Sequence, residues 1–139
     1  MLAKPKKKKS RSKLNKELTD LAKLYRKQLD GWKCQHCGKI VTGSNAHGSH
    51  VYPVSACKRL SFDYVNIKTL CYHCHMNWWH KNPIEAKDWY AEKFPDRLAY
   101  LEEKMFEYKD CGSLPLYELE EMIADYKEKI KRLDKNLLF

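Results

Sequence analysis

The 139-residue chain has room for one domain with extensions, and 43% hydrophobic against 32% charged residues allows only a small core. Net charge is +9, and seven cations (Lys4, Lys6, Lys7, Lys8, Lys9, Arg11 and Lys13) precede residue 14 with no acid among them. The charged start lacks the apolar segment of a secretory leader, and no apolar run approaches the ~20 residues that cross a bilayer, so the composition argues against a membrane partner.

Residues 1–13 read as a disordered basic arm, because like charges in a row repel and bury nothing. Such an arm neutralises DNA phosphates, keeps a protein soluble or serves as an import signal. Leu14, Leu18, Leu21, Leu24, Tyr25 and Leu29 then recur at spacings of three and four, the pattern of an amphipathic helix. Asp30-Gly31 ends it, with glycine as the left-handed cap. Lys16, Lys23, Arg26 and Lys27 give that helix a basic face for DNA. Residues 38–70 are broken by Gly38, Gly43, Gly48 and Pro53, and predict two short strands with a loop over 55–63. A helix follows to about residue 81. Another starts at Asn82-Pro-Ile-Glu85, with Asn as N-cap and Pro in the first turn. It breaks near Pro95, and a further helix runs over Leu98, Leu101, Met105 and Phe106. Trp78, Trp79, Trp89 and Tyr90 sit at helical spacing and are assigned to the core. Cys111-Gly-Ser-Leu-Pro115 is a linker. Beyond it Leu116, Leu119, Ile123, Tyr126, Ile130, Leu133 and Leu137 form a 3-4 seam over 115–139, which suits either a homodimer through paired helices or packing back on Leu98–Phe106.

Six cysteines are present. Four stand in two C-x2-C knuckles, Cys34-Gln-His-Cys37 and Cys71-Tyr-His-Cys74, and four thiolates at that spacing suit a closed tetrahedral structural zinc in a reducing compartment. Such a shell needs no histidine. His47, His50, His75 and His80 are therefore available for other chemistry, while His36 and His73 inside the knuckles read as exposed or supporting. Hydrolysis of a phosphodiester needs a base, for which a neutral imidazole is suited, and a divalent cation to stabilise the charge on phosphate. His50 is the candidate base, and the amide of Asn66 is placed to pin the loop beneath it. His75 and His47 are candidate ligands of the cation, with His80 a further one. Lys58 and Arg59 in the intervening loop are candidate phosphate clamps, joining Lys6, Lys7, Lys8, Lys9 and Arg11 of the arm.

His50, Asn66 and His75, interleaved with two C-x2-C pairs, resemble the HNH or ββα-metal nuclease superfamily. The order Cys34-x-x-Cys-Gly38, His47-Gly-Ser-His50, Phe62-Asp-Tyr-Val-Asn66, Cys71-x-x-Cys-His75 is most similar to the NinG (Rap) family of phage recombination endonucleases. Phage endonuclease VII, a Holliday-junction resolvase, also has four zinc cysteines and a metal ligand directly after the last. The resemblance spans about residues 14–100. It implies an α+β fold, a zinc-stabilised ββα-metal core within residues 14–110 flanked by an N-terminal helix and C-terminal helices. It also implies a metal-dependent DNA endonuclease acting on branched or Holliday-junction DNA, phage-encoded and working in the bacterial cytoplasm. His47 replaces an aspartate of the family pattern and His75 an asparagine. A site of imidazoles is softer, so Mn2+, Co2+ or Ni2+ can serve beside Mg2+. A general nicking or homing-type HNH nuclease, and a zinc-finger DNA-binding module without catalysis, are the alternatives. A protein-interaction adaptor built on the last helix is a third.

Overall fold

The computed structural model describes residues 8–137. Four α-helices, a π-helical segment and one two-stranded antiparallel sheet make an α+β fold. Lys6 and Lys7 lie outside the described residues. Ser10 caps the first helix, α1 (Arg11–Leu29), by accepting a hydrogen bond from the Lys13 backbone N–H at 3.3 Å. The helix thus begins inside the stretch expected to be a disordered arm, and carries Arg11 and Lys13 with it. Its far end is built as anticipated: Asp30 follows the last turn and Gly31 takes φ +65°. Arg26 is not part of an exposed basic face. It is buried, pairs with Asp30 at 3.0 Å and donates to the Tyr64 carbonyl, while Asp30 accepts from the Thr69 N–H. A pair removed from water needs such extra partners to offset its desolvation, and these tie the end of α1 to the sheet.

Strand β1 (His47–His50) pairs with β2 (Ile67–Leu70), His47 opposite Leu70 and His50 opposite Ile67. The two strands predicted within 38–70 thus lie at His47–His50 and Ile67–Leu70. All four residues of β2 are buried because it is covered on both faces. Ile67 belongs to a core with α1 and α4, and Leu70 to a second core of cysteines and aromatics. Lys23 of α1 runs flat over β1, and a Cβ on Gly48 would meet the Lys23 Cγ at 2.6 Å. Only glycine lets the helix approach that closely.

The segment after the second knuckle, His73–Trp79, is π-helical, not α-helical. The His80 N–H donates to the His75 carbonyl five residues back, at 3.2 Å. Helix α2 (Pro83–Lys93) starts at the predicted proline, although the Asn82 side chain makes no capping hydrogen bond. Helix α3 (Pro95–Tyr108) follows directly. Trp78, Trp79 and Tyr90 are buried in the aromatic core, with Trp89 packed against it.

Helix α4 (Leu116–Leu137) folds back onto α1, not onto α3. Leu119, Ile123 and Tyr126 are buried among Leu14, Leu18 and Ala22. The Tyr126 hydroxyl donates to the Phe62 carbonyl and accepts from the Tyr64 N–H at 3.0 Å. The middle of the seam, Leu119, Ile123 and Tyr126, is therefore covered within one chain, and its buried phenol is satisfied there, whereas Leu116 stays exposed and Ile130 and Leu133 half-buried. Among the described residues no helix is long and apolar enough to cross a membrane.

Candidate metal cluster and histidine cavity

The two knuckles converge. The four sulfurs of Cys34, Cys37, Cys71 and Cys74 lie within 4.8 Å of one another. A tetrahedral shell with metal–sulfur bonds of ~2.3 Å has edges of ~3.8 Å, and Cys37 Sγ is 3.8 Å from Cys71 Sγ. The cluster is thus built to hold a metal ion such as zinc, with all four positions filled by protein. Burial pushes the Cys34 thiol up, but N–H groups of Cys37, Cys71 and His36 aimed at it outweigh that and bring it down to about 7. Such a thiol becomes thiolate readily. His36 supports the cluster from outside. Its Nδ1 lies 3.3 Å from Cys74 Sγ, and its ring stacks on Trp78 with centroids 3.6 Å apart. His73 is exposed near Asn77.

A cavity of about 430 Å3 opens beside β1 and the π-helical segment, lined by Lys23, His50, His75, Trp79, His80 and Lys87 among others. No carboxylate lines it. His50 closes β1 and is half-buried rather than facing outward. Its Nε2 donates to the Ser61 carbonyl at 3.0 Å, so a neutral ring keeps its lone pair at Nδ1. Burial lowers its pKa from the ordinary histidine value, with the Ser61 carbonyl pulling the other way. Asn66 is fully buried and holds the backbone of Tyr52 at both polar atoms: its amide donates to the Tyr52 carbonyl at 3.0 Å and its oxygen accepts from the Tyr52 N–H at 2.9 Å. The chain leaving His50 is thereby pinned.

His75 stands between two other imidazoles. His47 Nδ1 lies 2.9 Å from His75 Nδ1, and His80 Nε2 lies 3.0 Å from His75 Nε2. The π-helical winding produces the second contact. Residues five apart diverge by 140° around an α-helix, whereas i→i+5 hydrogen bonding stacks them. The first contact sets the tautomer. His47 Nε2 is 2.9 Å from the Ser44 carbonyl, which can only accept, so in a neutral His47 the Nδ1 is an acceptor. His75 Nδ1 then donates to it, leaving the His75 lone pair on Nε2. His75 and His80 line the cavity and His47 does not, so the Nε2 pair belongs to it. Cis ligands of an octahedral ion at ~2.1 Å stand ~3.0 Å apart, which the His75–His80 pair matches. His47 lies on the opposite nitrogen of His75, where the 2.9 Å spacing of the two Nδ1 atoms fits a hydrogen bond that orients the ring and equally a shared ion. Burial, then the neighbouring His80 and His47, lower the His75 pKa to about 4, so the ring is neutral at neutral pH.

Compared with protein-family models, curated proteins and solved structures, the chain matches none of them.

Lys68 and Lys87 were not singled out in the sequence, and Lys23 was read there only as part of a basic helix face. Lys23 and Lys87 reach the cavity from α1 and α2. Lys68 of β2 is fully buried, with its ammonium 3.1 Å from the Trp79 ring centroid, 3.0 Å from Ser49 Oγ and 3.5 Å from the His50 carbonyl. The only sequence signal for Lys68 was its place between Ile67 and Leu70 in a strand. Lys58 and Arg59, expected to face the histidines, line a neighbouring cavity with Arg11. Lys8 and Lys9 are exposed, and Lys9 pairs with Glu17 at 2.7 Å.

Proposed function

We propose that this chain is a metal-dependent DNA endonuclease on a zinc-stabilised HNH-type scaffold, with branched DNA as its substrate by resemblance to the NinG and endonuclease VII groups. The observation that carries the reading is one acid-free cavity holding both His50, with its Nδ1 lone pair unclaimed, and the His75–His80 pair. An acid-free wall with Lys23 and Lys87 favours an anion, and the scissile phosphate is one. The cysteine cluster has no open coordination position and serves the fold, not the reaction.

In this mechanism His50 Nδ1 takes a proton from water as the water oxygen bonds to phosphorus. The phosphorus–oxygen bond to the leaving sugar breaks, and that oxygen departs with the electron pair. The Ser61 carbonyl holds the His50 ring in the required tautomer and steadies the imidazolium that forms. Asn66 keeps the end of β1 in place. His75 and His80 would hold a divalent cation, which supplies positive charge to the phosphate oxygens and the leaving group. Two imidazoles without a carboxylate favour Mn2+, Co2+ or Ni2+ over Mg2+.

The test compares His50→Ala, His75→Ala and the unaltered protein on plasmid, linear, single-stranded and four-way-junction DNA with each ion. Either substitution is expected to lower cleavage by at least ~100-fold, the usual weight of an acid–base group, with DNA binding retained. If the unaltered protein cuts none of these substrates with any ion while still binding them, the chain is a DNA-binding module and the nuclease reading is wrong.

A further inference from the structure

A second cavity, of about 360 Å3, adjoins the first, and Val54 lines both. It lies between the loop carrying Lys58 and Arg59, the start of α1, and the linker joining α3 to α4. Arg11, Lys58, Arg59 and Lys109 line it, with no aspartate or glutamate. None of these four cations has a carboxylate partner among the described residues, whereas Lys9, Lys16, Lys104, Lys127, Lys129 and Arg132 all do. Unpaired like charges on a concave wall repel one another and focus a positive potential, which a phosphate relieves. Three of them lie against aromatic rings: the Arg59 guanidinium 4.8 Å from the Tyr108 centroid, the Lys58 ammonium 5.5 Å from that of Phe62, and the Lys109 ammonium 5.8 Å from that of Phe106. Past Arg59 and Tyr108 the next cleft carries Asp63, Glu118 and Glu121. A phosphate chain coming from the histidines past Val54 therefore meets attraction as far as Arg59 and repulsion beyond it.

The volume decides what can enter. It is near the lower end of the ~300–1,000 Å3 of small-molecule sites, enough for a nucleotide. A duplex, whose major groove alone is ~12 Å wide, is too thick. We propose that this cavity is a second nucleotide subsite that takes an unpaired nucleotide flanking the cleavage point, with its phosphate on Lys58, Arg59 and Lys109. The proposal rests on the nuclease reading for the identity of the strand. It makes unpaired DNA at a branch or flap, not continuous duplex, the class of substrate the protein retains.

The experiment measures fluorescence anisotropy of a labelled ten-nucleotide dT strand and of a ten-base-pair duplex, without added metal, against salt. The proteins are the unaltered chain, Lys131→Gln, and Arg59→Gln with Lys109→Gln. Arg11 is left in place because it also donates to the Leu114 carbonyl. The double variant is expected to bind the dT strand on the order of tenfold more weakly, with the log–log salt slope reduced by ~1.4 for two lost contacts. Its duplex affinity should stay within about twofold, and Lys131→Gln, on the exposed face of α4, should bind both as the unaltered chain does. Lys109→Gln alone, at an exposed position, should reduce the slope by ~0.7, which keeps the test available if the double variant misfolds. Unchanged dT binding in these variants, or an equal loss on duplex, overturns the subsite. A protein that cuts no DNA would sink the nuclease reading and leave this binding comparison readable.

Discussion

Lys68 offers a sharp test of how the floor of the histidine cavity is held. Its side chain is fully buried, and its contacts are the Ser49 hydroxyl, the His50 carbonyl at the edge of hydrogen-bonding range, and the face of Trp79. The opposing effects can be ranked. A desolvated cation over an indole gains about 2 kcal/mol, whereas burying an ammonium without a carboxylate costs several kcal/mol. Desolvation wins, and burial drives the Lys68 pKa well below its ordinary value. Between that lowered pKa and the unfolded value of ~10.4, the unfolded chain binds one proton more than the folded one. Stability should therefore rise with pH in this window by up to ~1.4 kcal/mol per pH unit and level off above it. As pH falls through the folded pKa the gain is gone, because both states are then protonated. Lys68→Met keeps the length and apolar stem but removes the titration. Urea melts of the zinc-loaded protein at half-unit steps from pH 7.5 to 10 would give both curves, and their difference isolates Lys68 from other titrating groups. The unaltered chain should gain on the variant as pH rises. A pH-independent difference, or one of opposite sign, would refute the ranking of desolvation over the cation–π contact.

Removing the cluster metal with a chelator, or substituting Cys37→Ser or Cys71→Ser, should unfold or aggregate the chain, since structural zinc sites contribute on the order of 10 kcal/mol; circular dichroism showing a well-folded metal-free protein would contradict it. Ile123→Asp should not release a soluble monomer from a dimer but destabilise the chain itself by about 3 kcal/mol or more, because Ile123 is 6% exposed against α1; thermal melting distinguishes the two. Gly48→Ala should displace Lys23, whose Cγ would lie 2.6 Å from the new methyl group, at about 1–3 kcal/mol for overpacking. Pairing it with Lys23→Ala should recover only part of that loss in the same melting assay, because the Cβ at position 23 would still lie 2.8 Å from the new methyl group.

Local chemistry was legible in the residues themselves. The C-x2-C pairs bring their sulfurs together because each knuckle is set by its own backbone. Helix starts and stops at Asp30-Gly31, Pro83 and Pro95 answer to capping and missing N–H groups, which act within a few residues, whereas the start at Ser10 lay inside the stretch read as a disordered arm. The role of Asn66 as a backbone pin was also readable, since a buried amide must find partners. What the chain order could not show depended on which surfaces meet. The 3-4 seam of α4 serves a second copy or its own domain equally well, and the tertiary structure sets its middle against α1, with the Tyr126 hydroxyl satisfied at Phe62 and Tyr64. His75 and His80 are five apart, a spacing with no meaning on an α-helix, and become neighbours only through π-helical winding. That winding also brought His80 beside His75 in the cavity, with His47 on the opposite nitrogen. Lys68 and Arg26 look like surface cations in any linear reading. Their burial came from a strand covered on both faces and from a helix end locked to the sheet, long-range contacts that no local pattern encodes.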